Sequence, residues 1–264
     1  MFETDSGAFC ACRGLSFVVH AGETVAIVGE TGCGKSTTLA MVLGLQTPST
    51  GTVRVLGLDP FARFDALRGR VGIVFQNDRL LPWRTALENV AFGLEILHLP
   101  KEERHRRALA WLERVGLAQF VNSYPHQLSG GMRQRVSIAR TFAIEPPLLL
   151  ADEAFSALDE LTAASLRRDL LGLIEETNKT TLFITHSVPE AASLAGRVLV
   201  LGRPGHVVHE IDVARMLAEG RSRHDAENEV RLGLQLARDA YDGSGDFSAA
   251  GRTPMRSASM NAGG

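Results

Sequence analysis

The sequence predicts an α/β fold built on a mostly parallel sheet, and three observations carry that prediction. Short apolar runs of strand length alternate with runs of helical spacing, a glycine-rich loop joins the first clear strand to the first clear helix, and a charged helical stretch interrupts the alternation between residues 77 and 146. The run "ETVAIVG" (23–29) is apolar, β-rich and ends on glycine, so it reads as a buried strand, and "STTLAMVLGL" (36–45) follows with helical spacing. "TVRVLG" (52–57) and "RVGIVFQ" (70–76) read as further strands. From about 85 to 146 helix-favouring residues dominate, "KEERHRRALAWLERVGL" being the plainest amphipathic piece. Strand character returns in "LLLADE" (148–153), "TTLFITH" (180–186) and "RVLVLG" (197–202), with "LTAASLRRDLLGLIEET" helical between the first two. Apolar strands alternating with helices need cover on both faces, which is the situation of a parallel sheet. Beyond about 205 the pattern weakens: "AENEVRLGLQLARDAYD" fits one more helix, and "GSGDFSAAGRTPMRSASMNAGG" is small and polar enough to be a disordered tail. The expected organisation is one domain over 1–205, with the helical subdomain inserted at about 77–146, and a C-terminal extension over 206–264.

Composition bounds the function. With 264 residues and 45% hydrophobic side chains the chain can bury a proper core. Its 28 Lys+Arg against 30 Asp+Glu leave a net charge of -2, so bulk charge suggests neither a nucleic-acid-coating surface nor a polybasic membrane anchor. No basic segment precedes an apolar stretch at the N-terminus, and no run approaches the roughly 18 apolar residues of a membrane span, so a soluble, cytoplasmic chain is expected. Cys10, Cys12 and Cys33 are odd in number and lack CxxC spacing, which reads as reduced thiols rather than a disulfide or zinc framework.

Chemistry enters at "GETGCGKST" (29–37), which fits G-x-x-x-x-G-K-[ST] directly between a strand and a helix. Gly29, Glu30, Thr31, Gly32, Cys33, Gly34, Lys35, Ser36 and Thr37 form the expected phosphate cradle of a P-loop. Its glycines let backbone N–H groups curl around phosphate oxygens, and the following helix adds its positive end. Lys35 would contact the outer phosphates of ATP, and Ser36 would offer a hydroxyl to Mg²⁺. A strand then delivers Asp152 and Glu153 to its C-terminal end, where ligands sit in open α/β sheets. Behind a P-loop such a pair suits a Mg²⁺ carboxylate followed by a base for the attacking water. Cys33 inside the loop suggests that a thiol reagent should inhibit and that ATP should protect. A second glycine turn, "LSGGMRQRV" (128–136), also looks built to hold an anion, although one nucleotide does not need two cradles.

Together these residues resemble the nucleotide-binding subunits of ATP-binding cassette (ABC) transporters, over roughly residues 2 to 205. The matching motifs stand in the family's order: the P-loop, Gln76 in "VFQNDRLLPW", the signature Leu128 to Met132, Asp152/Glu153, Asp159 in "SALD" and His186 in "ITHS". The resemblance implies a P-loop NTPase (RecA-like) core with an N-terminal antiparallel β subdomain and an inserted helical subdomain. It also implies that Gln76 senses Mg²⁺ or the attacking water, that Glu153 polarises that water, and that His186 contacts the γ-phosphate. Ser129, Gly130 and Gly131 would complete the partner subunit's ATP site in a homodimer, and Asp159 would communicate across it. An aromatic residue usually stacks on adenine in this family; matching "GAFCACRGLSF" to the usual stretch places Phe2 there, with Phe9 as the second candidate. The family's usual strand ahead of that aromatic is expected to be missing. Ala154 and Ser187 replace the common proline and aspartate without removing a catalytic group. "LLPWRTALENV" and "GRPGHVVHEIDV" look like the nitrate/sulfonate/taurine import subfamily, in which residues 79–92 would receive a membrane permease through Leu80, Leu81 and Trp83. The implied partners are permease subunits and, indirectly, an extracytoplasmic solute-binding protein, but no nucleic acid; the implied place is the cytoplasmic face of the inner membrane. A soluble ABC-type ATPase of DNA repair or translation shares the motifs but typically carries coiled-coil or tandem-cassette insertions, which the sequence lacks.

Overall fold

A computed structural model describes the backbone of residues 2–4 and 7–9 and the whole of 10–241. The tail beyond Tyr241, expected to be disordered, and the side chains of Phe2 and Phe9 lie outside the described residues. The central sheet has six strands: β3 (Thr24–Gly29), β4 (Val71–Phe75), β5 (Leu148–Asp152), β6 (Thr180–Thr185), β7 (Arg197–Gly202) and β8 (His206–Asp212). Their order is β4-β5-β6-β3-β7-β8, parallel except for the antiparallel β7/β8 pair. Val25 to Val28 of β3 are all buried, Val25 and Ile27 toward one face and Ala26 and Val28 toward the other. That double burial is why the strand reads as an unbroken apolar run.

One face is covered by the inserted helices α2 (Ala86–Ile96), α3 (Lys101–Arg114) and α4 (Gly130–Ala143), with α5 (Glu160–Thr177) and α6 (Val188–Leu194) continuing the layer. α1 (Lys35–Val42) packs on the opposite face. Two helices follow the sheet, α7 (Val213–Ala218) and α8 (Arg223–Asp239). Ala226 and Val230 of α8 reach the same core as α6, and a Cβ on Gly233 would lie 2.9 Å from Val200. The helix expected from residue 226 therefore starts three residues early, where Ser222 and Asp225 close a capping box. β8 and α7 are the elements the weak pattern beyond 205 concealed: β8 is an edge strand whose residues are mostly half-buried, and α7 has only six residues.

The strand expected over 52–57 does not form. Leu56 and Gly57 take φ of 50° and 80°, a two-residue reversal, so Val55 and Leu58 share only one bridge. Leu15 to Val19 and Pro48 to Leu56 stand apart around a cavity of about 830 Å³ that opens onto Leu148, Leu150 and Leu182 of the sheet. That separation leaves the N-terminal antiparallel pairing, among the described residues, to the ribbon of β1 (Phe2–Thr4) and β2 (Gly7–Phe9). No helix among the described residues is long and apolar enough to cross a membrane.

Candidate nucleotide site

β3 ends at Gly29, and the glycine loop delivers the chain to α1 through Gly34, whose φ of 91° only glycine holds without strain. A Cβ there would also meet the Ala11 carbonyl oxygen at 2.7 Å. Lys35 is 7% exposed, with its ammonium held by the loop itself: Nζ donates to Gly29 O at 2.6 Å and Glu30 O at 2.9 Å. Ser36 is exposed beside it and Thr37 half-buried. The rim of the loop is gripped from the C-terminal half. Arg203 donates to Thr31 O and pairs with Glu30 at 3.5 Å, and Arg238 of α8 pairs with the same carboxylate. A curled backbone, a helix start and a buried ammonium together make an anion site. Cys33 is 1% exposed and burial pushes its thiol up, which disfavours the reactive thiolate.

The sheet order assembles the rest of the site. β4, β5, β6 and β3 are neighbours, so Gln76 after β4, Asp152 and Glu153 at the end of β5, His186 after β6 and the P-loop after β3 share one edge. Phe75 is in register with Asp152, and Asp152 with Ile184, which puts the three motif segments level. Glu153 adopts φ of 47°, an unusual left-handed turn for a non-glycine residue, while its N–H still donates to Ile184 O at 2.8 Å. The turn aims the carboxylate across the edge, where Oε1 lies 3.1 Å from His186 Nδ1. Burial, and then the charge of Glu153, raise the carboxyl of Asp152 above its usual range. No other group hydrogen-bonds its carboxylate among the described residues. Gln76 is exposed.

The signature turn is built differently. Ser129 is the exposed N-cap of α4, its Oγ accepting from Met132 N at 3.3 Å. A Cβ on Gly131 would lie 2.8 Å from Thr162 Cγ2, and one on Gly130 3.7 Å from Leu158. The turn thus rests against the start of α5, and the Arg133 guanidinium lies beside it, 3.9 Å from a Cβ on Gly130. Asp159 caps α5 by accepting from Thr162 N at 3.0 Å, a hydrogen bond that holds its carboxyl below the usual range.

The expected docking residues divide. Leu80 belongs to the core at 9% exposure, Leu81 is half-buried and Trp83 is 70% exposed, so Trp83 alone presents a full apolar face. Their loop is organised by fully buried Asn89: its Oδ1 accepts from Leu81 N at 2.7 Å, and its Nδ2 donates to the carbonyls of Leu81, Arg84 and Thr85. Sequence reading passed over Asn89 and also Gln134, a buried residue of α4. The available signal was a polar side chain in the apolar stripe that continues through Ile138 and Phe142. Arg203 and Arg238 gave no local signal, being 172 and 208 residues from the loop they hold.

Residues 12–156 match the family described as ABC transporter. The chain is 43% identical over 213 residues to the taurine import ATP-binding protein of Yersinia pestis bv. Antiqua, covering 80% of this chain and 82% of that one. It is 42% identical over 235 residues to the taurine import ATP-binding protein of Burkholderia pseudomallei, covering 88% and 89%. Among solved structures it is similar to a dimeric post-hydrolysis ATP-binding cassette bound to ADP and phosphate, with a TM-score of 0.68 and 37% identity over 77% of this chain and 90% of that one. With the sheet edge so arranged and four-fifths of the chain matched, the protein belongs to the ABC transporter family, as one of its ATP-binding, ATP-hydrolysing subunits.

Proposed function

We propose that the chain energises import of a small anionic or nitrogen- or sulfur-containing solute of the nitrate, sulfonate and taurine class, working as a homodimer on the cytoplasmic face of the plasma membrane beneath its permease subunits. The observation that carries the import reading is the identity of 42–43% to taurine import ATP-binding proteins over most of both chains. Exposed Trp83, on a loop pinned by Asn89, supports residues 79–92 as the permease-facing surface. An extracytoplasmic solute-binding protein would act through the permease.

In each ATP site the loop amides and Lys35 take the phosphates. Lys35 exchanges its bonds to Gly29 O and Glu30 O for the β- and γ-phosphate oxygens. Ser36, Asp152 and Gln76 fit Mg²⁺ in donor chemistry: all are hard oxygen donors on one sheet edge, and the Asp152 carboxylate is free of competing hydrogen bonds. When bound, the ion neutralises phosphate charge. Glu153 accepts the proton of the attacking water, and His186, held at 3.1 Å by that carboxylate, faces the γ-phosphate with its other ring nitrogen. The partner's ATP is completed by Ser129, Gly130 and Gly131, with Asp159 beside them at the seam; Phe2 is the proposed adenine platform. ATP closes the pair, hydrolysis reopens it, and the permease alternates its access.

A deletion strain grown on taurine, alkanesulfonates or nitrate as sole sulfur or nitrogen source tests the assignment. Growth should fail on one of these, return with the wild-type gene and not with Glu153→Gln, and the protein should sediment with membranes only when its permease is present. Unimpaired growth on all of them would overturn the solute class; a protein that never sediments would overturn the transport role.

A further inference from the structure

We propose that Gln134 is a positioning residue for hydrolysis, setting the spacing between Gln76 and Glu153 and tying that spacing to the signature turn. Its side chain is 3% exposed, and its single Nε2 uses both N–H donors: one to Phe75 O at 3.0 Å, the other to Ala154 O at 2.8 Å. Phe75 O belongs to the peptide that carries the Gln76 nitrogen, and Ala154 directly follows Glu153. One amide therefore clamps the two loops that hold the proposed water-sensing and water-polarising groups. The turn after Glu153 needs such a clamp, since it starts from the left-handed φ of 47° and is otherwise closed by Ser156, which donates from N and Oγ to Glu153 O at 3.1 and 2.9 Å.

The clamp rides on α4, five residues after Ser129 and so little more than one turn from the signature. The same helix grips the segment after Gln76 at two further points. Arg133 Nε donates to Asp78 Oδ2 at 2.9 Å, and Arg140 donates to Asp78 O at 2.7 Å and Arg79 O at 2.8 Å. A shift of α4 therefore carries residues 75–79 and Ala154 with it. This inference rests on the dimer reading: the anion that Ser129 to Gly131 meet is the partner's nucleotide, so its arrival is transmitted through Gln134 to the subunit's own water-activating groups.

The test uses the full-length dimer with Gln134→Met, which keeps volume and helix propensity, and Gln134→Glu, which keeps shape and can donate to at most one of the two carbonyls. Turnover is expressed per nucleotide-binding site, so that unfolded protein drops out. Both variants should keep the wild-type half-saturating ATP concentration, lose about tenfold to a hundredfold in kcat, as for a misplacement of about 1 Å, and lose any sigmoidal dependence of rate on ATP. A merely structural Gln134 would lower the melting temperature and the number of binding sites, leaving kcat per site and any sigmoidal shape unchanged, and that result would overturn the proposal. Glu153→Gln with ATP checks the dimer separately by size exclusion. A trapped dimer together with wild-type kcat in Gln134→Met sinks the clamp and spares the dimer; no trapped dimer sinks both.

Discussion

The two glycine turns of this chain, 29–34 and 129–131, look alike in sequence and differ in everything that makes a binding site complete. The first holds glycine at φ 83° and 91°, a buried ammonium, and a rim gripped by Arg203 and Arg238. The second is an exposed helix cap with φ of -66° at Ser129, and the half-buried cation beside it, Arg133, is tied to Leu128 O and to the Asp78 carboxylate. A turn whose neighbouring cation is already paired with a carboxylate offers half of an anion site, whereas one with an ammonium held by its own carbonyls can bind alone. The difference is what the proposed reading requires of one subunit with two glycine turns and one nucleotide.

The largest effect expected from that contrast lies at the complete site. Glu153→Gln should still bind ATP and should lose about 100- to 10,000-fold in steady-state hydrolysis, the usual loss for a positioned base; normal turnover would remove Glu153 from the chemistry. Next comes the half site: Ser129→Arg should leave ATP affinity of the isolated subunit intact and cut dimer-dependent hydrolysis by about a hundredfold. Loss of the cap accounts for only about 1 kcal/mol, which a thermal melt measures apart from the rate. Full activity in that variant would make the second turn a plain cap.

Smaller effects are expected away from the two turns and at the rim of the first. Asn89→Leu leaves the Leu81 amide and the nearby carbonyls buried without their partner, so a loss of about 2–3 kcal/mol is expected, seen as a lower Tm, while the distant P-loop still binds ATP. For Asp152 the direction of pH dependence follows from its raised pKa: the carboxylate predominates only above that raised value, so Mg²⁺-dependent nucleotide binding should weaken on acidification before an ordinary aspartate would protonate. Glu153→Gln removes the neighbouring negative charge, lowers the Asp152 pKa and should move the acid limb of a binding-versus-pH profile downward; an unmoved limb would assign it to another group. Arg238→Ala, which opens a largely exposed pair with Glu30, should change stability by less than about 1 kcal/mol.

Much of the site was legible because its chemistry is local. The P-loop, Asp152/Glu153 and His186 each sit at the end of an apolar strand, and the period of that strand marks where the loop begins. Gln134, Asn89 and the two arginines were hidden for the opposite reason: their partners are carbonyls or carboxylates many residues away, and a polar letter inside a helical stripe does not say what it reaches. The 52–57 run failed because a ladder needs a partner at hydrogen-bonding distance, and the chain reverses at Leu56 and Gly57 before one is met.

By itself the sequence determined the main strand and helix order from 23 to 202, the 52–57 run excepted, the residues proposed to face phosphate, and the presence of a second glycine turn, since periodicity and glycine spacing act over a few residues. Only the tertiary structure decided that β4, β5, β6 and β3 lie side by side so that four loops make one edge, and that α4 holds two of those loops through a single buried amide. Strand order and buried hydrogen bonds are settled by which surfaces exclude water together, and that is a property of the packed chain.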